Sequence, residues 1–138
     1  MAEDVGRMVD LVAGPLHLAA REGRVELIKD LLSSGSQPNA RTEDGSTPLH
    51  FAVALGQVET IKELLSAGSQ LDARNSIGYT PLHSAAYVGQ VEAVKELLSA
   101  GAQPDARDKD ELAPLHLAAY VGQVEAIKEL LSAKEHLN

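Results

Sequence analysis

Histidine is the residue here with the widest chemical repertoire, and four of the five keep a strict interval: His17, His50, His83 and His116 lie 33 positions apart. A metal site is the first idea such a set suggests. Yet if each imidazole occupies the same place in a stacked unit, neighbours are separated by about 8–10 Å, a helix-packing distance. Ligands of one zinc must each lie about 2.0–2.1 Å from it. The expected role is structural, with each ring bracing a turn through backbone hydrogen bonds, since imidazole donates and accepts at once. His136 is off this phase and is read as a lone tail residue.

Other reactive residues give no better constellation. There is no cysteine, hence no disulfide, thiolate zinc site or cysteine nucleophile. No Gly-x-Ser-x-Gly elbow occurs, and the serines before Gly35, Gly68 and Gly101 fall at expected helix ends. Glu59 with Glu63 and Glu92 with Glu96 share helix faces, but Lys62 and Lys95 sit within a turn of them, which is the pattern of a solvated charged surface. No glycine loop is built to cradle phosphate. The expectation is a protein without catalytic residues, metal ligands or cofactor.

Charge and composition narrow the partners. Twenty acidic against twelve basic side chains give a formal net charge of -8, which opposes both nucleic acid and anionic membrane surfaces. With 44% hydrophobic and 23% charged residues the chain should fold, as one domain over 1–138. The start carries Glu3, Asp4 and Asp10 and does not read as a secretory signal, and no stretch reaches membrane-spanning length. Lys109-Asp110-Glu111-Leu112 spells a retention tetrapeptide, but at an internal position where it is not read. A natural chain of this kind is expected in the cytoplasm or nucleus.

The elements that must position these residues follow from the same interval. Pro15, Pro48, Pro81 and Pro114 repeat at 33, as do Gly23, Gly56, Gly89 and Gly122 and four Leu-Leu pairs from Leu31-Leu32 to Leu130-Leu131. Thr47 and Thr80 can cap a helix whose first residue is the following proline. Leu82, Ala85 and Ala86 place small residues on one face, and Gly89 stops the helix after about two turns. Val91, Val94, Leu97 and Leu98 form the apolar stripe of a second helix that Gly101 can end. Gly78 supplies the positive φ of a tight turn between units. No unit has enough apolar surface to close a core alone, so stacking must close it.

This pattern resembles the ankyrin repeat: Thr-Pro-Leu-His occurs whole at Thr47 to His50 and Thr80 to His83, with the matching glycines and leucine pairs around it. The resemblance covers roughly residues 9 to 138 and implies an all-α solenoid of helix-turn-helix units with β-turn or hairpin connections. The expected units are an N-terminal segment and capping repeat over 1–41, repeats over 42–74 and 75–107, and a C-terminal repeat over 108–138. Gly14 and Ala113 replace the capping threonine, so these helix starts are expected to be the softest. Glu111 stands where Gly45 and Gly78 stand, so the last turn either strains a non-glycine residue or adopts another shape, and a locally altered loop is expected over Lys109 to Leu112. A short helix over Ala2 to Leu11, with Val5, Met8, Val9 and Val12 inward, is expected to cover the first unit. Tyr120 to Ala133 repeats Tyr87 to Ala100 with one change, Val94 to Ile127, so nothing polar protects the last unit. Either the chain was cut from a longer array or its last helix frays. The chain is expected to be a monomer, with self-association through the last unit as the alternative.

The units disagree with one another mainly at the turns and at the ends of the first helices, and all three tyrosines fall there. In the family it resembles, these phases line a concave groove that binds a partner protein. Transferred residue by residue, that implies Glu43, Asp44, Ser46, Leu55, Ser76, Ile77, Tyr79, Tyr87, Lys109, Asp110, Leu112 and Tyr120. Independently, Ile77, Tyr79 and Leu112 sit in turns, where apolar side chains gain little unless something covers them. Tyr79→Ala is expected to weaken partner binding by about 1–3 kcal/mol. The alternative is an idealised or engineered scaffold with no natural partner, suggested by near-identical units. In the bland reading, Tyr87 and Tyr120 simply pack along the stack.

Overall fold

A computed structural model describes residues 14–137, which form eight α-helices in four pairs. The pairs are α1 (Pro15–Glu22) with α2 (Val25–Ser33), α3 (Pro48–Ala54) with α4 (Val58–Ser66), α5 (Pro81–Val88) with α6 (Val91–Ser99), and α7 (Pro114–Val121) with α8 (Val124–Leu137). First helices pack on first helices and second helices on second, in chain order, so the fold is a two-layered stack. The segment expected to cover the first unit lies outside the described residues.

Each first helix starts with proline at its first position. Thr47 and Thr80 accept the amides of His50 and His83 on their hydroxyls, at 3.4 and 3.3 Å. In return, His50 and His83 accept the amides of Thr47 and Thr80 on Nδ1, both at 3.1 Å, so two otherwise free donors are satisfied reciprocally. At Gly14 and Ala113 no side chain caps the helix, as those residue types dictate. Ala113 keeps half of the arrangement, donating its amide to His116 Nδ1 at 2.8 Å.

The core runs the length of the stack, and its composition explains the close approach of the layers. Ala19 and Ala20, Ala52 and Val53, Ala85 and Ala86 are buried on the first helices, while Ile28, Ile61 and Leu64, Val94 and Leu97 come from the second. Gly89 shows why glycine ends a first helix. Its φ is +84°, and a Cβ there would stand 2.3 Å from Oε1 of Gln123 in the next unit. That glutamine donates its side-chain amide to the Tyr87 carbonyl at 3.2 Å, tying one unit to the one before.

The turn over Lys109 to Leu112 corrects one expectation. It does not change shape. Asp108 N bonds Leu112 O at 2.9 Å and Glu111 N bonds Asp108 O at 3.0 Å, matching Asn75 to Tyr79 and Gly78 to Asn75. Glu111 adopts the glycine conformation instead, with φ +65°, and is the one non-glycine residue with positive φ among the described residues. Packing separates the two positions: a Cβ at Gly78 would lie 2.7 Å from Lys109 N of the following turn, whereas among the described residues no further turn packs on that of Glu111.

Candidate functional site

Three arginines fix the turns from which the candidate residues project. Arg41 donates to the Gly45 carbonyl of its own turn at 3.0 Å and to Arg74 O of the next unit at 2.6 Å. Arg74 repeats this with Gly78 O and Arg107 O, and Arg107 bonds Glu111 O at 3.0 Å. The backbones of successive turns also pair, Ser76 N with Asp44 O at 2.7 Å and Lys109 N with Ile77 O at 3.1 Å. Inside each turn the residue after the arginine supplies a side-chain acceptor: Asn75 Oδ1 takes the amides of Ile77 and Tyr79, and Asp108 Oδ1 those of Asp110 and Leu112. The tips are therefore held by hydrogen bonds both within each turn and between successive turns.

From below, the histidines hold the same turns, as anticipated. His17 Nε2 donates to the Ala40 and Ser46 carbonyls at 2.9 and 3.0 Å, His50 to Tyr79 O and His83 to Leu112 O, both at 2.8 Å. Burial holds all three rings below the ordinary imidazole value, against the carbonyl bonds, which raise it. They are therefore neutral at pH 7, with Nε2 carrying the proton. Both ring nitrogens of His50 and His83 are engaged, leaving no lone pair free for a metal.

The sequence-derived site residues divide by depth. Glu43, Asp44, Ser76, Lys109 and Asp110 are exposed at the tips, and so is Ile77, at 53%. Leu55 and Tyr87, about half exposed, and Tyr120, at 87%, lie at the ends of the first helices. Tyr79 and Leu112 are half-buried at the turn bases, where their carbonyls accept His50 and His83. The Tyr79 ring stacks on His83 with centroids 5.4 Å apart, and burial raises its hydroxyl pKa. Ser46 departs from its expected place on the surface: it is 6% exposed, with its amide on Thr42 Oγ1 and its carbonyl on His17. Asp44 is exposed but tied to its turn. The Thr42 hydroxyl donates to it and holds its carboxyl below the usual range.

A shallow hollow joins turns and first helices, lined by Arg21, His50, Phe51, Leu55, Asn75 and Ser84 among others. Arg21, Phe51 and Ser84 escaped the reading by variation between units, which took in only the ends of the first helices. The arginines at 41, 74 and 107 were also missed, although they repeat at 33 like the prolines and could have been found the same way.

Comparison with known families agrees with the stacked helix pairs, the turns at a 33-residue interval and the histidine-braced caps. Two family models match, Ankyrin repeats (3 copies) over residues 16–108 and Ankyrin repeat over residues 110–138. The chain belongs to the ankyrin repeat family. A search of curated proteins returned no match. Ankyrin repeats are in general protein–protein interaction modules and generally lack catalysis. In this ankyrin domain no described helix is long and apolar enough to cross a membrane.

Proposed function

We infer that this ankyrin domain holds a partner protein against its turn tips and the exposed ends of its first helices, without catalysis. One observation carries the reading: Leu55, Ile77, Tyr87 and Tyr120 stay exposed on that side although neither turn nor helix needs them there. Large apolar groups left in water favour being covered, and tyrosine combines an apolar body with one polar tip. Hydrogen-bonded tips add to this, because little side-chain and loop entropy remains to be lost on binding. Glu43 and Asp44 make one end of the row acidic, while Lys109 and Asp110 mix signs at the other. The overall charge of -8 disfavours nucleic acid and anionic membrane as partners. A cysteine-free chain suits the cytoplasm or nucleus.

Near-identity of α6 and the first nine residues of α8 supports a second reading, an idealised or engineered scaffold without a natural partner. The two part company in one experiment. A partner is captured from a cell lysate with the intact chain, and its affinity is remeasured for Ile77→Asp combined with Tyr87→Ala, both at exposed positions that leave the fold intact by circular dichroism. Binding at least about tenfold weaker is expected, since hot-spot side chains cost about 2 kcal/mol or more on truncation. Unchanged affinity with intact fold would remove this surface from the site, and no discrete partner would favour the scaffold.

A further inference from the structure

The residue after each repeated histidine is Leu18, Phe51, Ser84 or Leu117, so one unit carries a small hydroxyl side chain where three carry a large apolar one. That difference has a place in the fold. Phe51 and Ser84 line the same hollow, with Arg21, Ala54, Leu55 and Asn75 around them. It lies between the second and third helix pairs, with Arg21 reaching it from the end of α1, so described residues surround it within the stack. Leu117, at the phase of Ser84, is only 5% exposed, and a leucine at 84 would fill space that the serine leaves open. The hollow measures about 280 Å³. An apolar cavity of about 150 Å³ already takes up benzene, and small-molecule pockets begin near about 300 Å³, so the space suits one large side chain better than a whole ligand.

The polar groups on the lining are donors. Arg21 is exposed and makes no ion pair among the described residues, whereas its neighbours Glu22 and Arg24 pair with each other at 4.0 Å. Asn75 spends Oδ1 on the amides of Ile77 and Tyr79, which leaves its side-chain nitrogen to donate. His50 has both ring nitrogens engaged and is neutral, so Arg21 is the one charge on the lining. Phe51 and Leu55 offer apolar contact beside it. A guanidinium and an amide donor at the edge of an apolar space match a carboxylate next to a large apolar side chain.

We propose that this notch receives one large apolar side chain of the partner protein, with an adjacent Asp or Glu of the same segment on Arg21. The proposal rests on the groove reading and adds to it the chemistry of the partner. Random peptides displayed on phage are selected on the full chain, and those recovered are measured against its variants. The expected motif is Leu, Ile or an aromatic residue beside Asp or Glu. Ser84→Leu puts the sister units' residue into the notch, with circular dichroism checking the fold, and should weaken binding at least about tenfold. Changing the peptide's acid to its amide should weaken binding roughly fivefold on the intact chain and leave it unchanged on Arg21→Gln. Arg21→Gln, at an exposed position, keeps the test decisive if Ser84→Leu folds poorly. Binding that survives Ser84→Leu but falls with Ile77→Asp combined with Tyr87→Ala overturns the notch and keeps the groove. Binding indifferent to both overturns both. A selection that enriches no motif, or one without an acid, also overturns the proposal.

Discussion

Glu111 and Gly78 occupy the same place in consecutive turns, and opposite substitutions there should have opposite effects. A side chain in the left-handed region costs roughly 1–2 kcal/mol, part of which glycine returns through its freer unfolded chain. Glu111→Gly is therefore expected to stabilise by about 0.5–1 kcal/mol in urea unfolding. Gly78→Glu should cost more than about 2 kcal/mol, since it adds a Cβ pressed against Lys109 N to the same dihedral penalty. The sequence flagged Glu111 as out of place, but could not show that the following turn, more than φ alone, demands glycine at 78. His17, His50 and His83 bring a pH dependence whose sign follows from burial. Their folded values lie below the ordinary 6.5, so the unfolded chain takes up protons first as acid is added. Stability is full above 6.5 and falls as pH drops through that value toward the folded ones, so the urea midpoint at about pH 5 should lie below that at about pH 7.5. An equal midpoint at both would mean the rings are not held neutral.

Among the elements, the helix starts were the most legible part because proline and threonine act locally. Thr47 and Thr80 cap as their types predict, and the missing caps at Gly14 and Ala113 are real. Ala113→Thr should restore the hydroxyl beside an amide donor that already engages His116, raising stability by about 0.5–2 kcal/mol. No gain on thermal melting would mean that the cap is replaced by something else at α7. What the sequence hid at this scale was long-range pairing. Gln123 against the Tyr87 carbonyl and Arg74 against that of Arg107 join residues 33 or more apart, and only the stack shows that they meet. Ser46 misled for a related reason: it varies between units like a contact residue, yet its backbone carries the turn and its side chain is buried.

For the whole molecule, the 33-residue interval was enough to give the stack, since no unit can exclude water alone. Which surface is free was only partly legible, because exposure depends on what the next unit covers: Ala86 and Ala119 are the same residue with opposite burial. Ion pairs between units, such as Lys95 with Glu129, lie at the surface and add little to holding the units together. Stability should thus rest on the contacts between neighbouring units, and native-state amide exchange should find α5 and α6 more protected than α7 and α8, which among the described residues pack on one neighbouring unit instead of two. The central claim is that stacking consumes the buried faces and leaves the turn-borne side chains to grip a partner. Placing a photo-reactive amino acid at Ile77, and separately at Lys95 on the second-helix surface, tests it most directly. Crosslinking of a discrete protein from position 77 and not from 95 is the predicted result; crosslinking from 95 alone would contradict it.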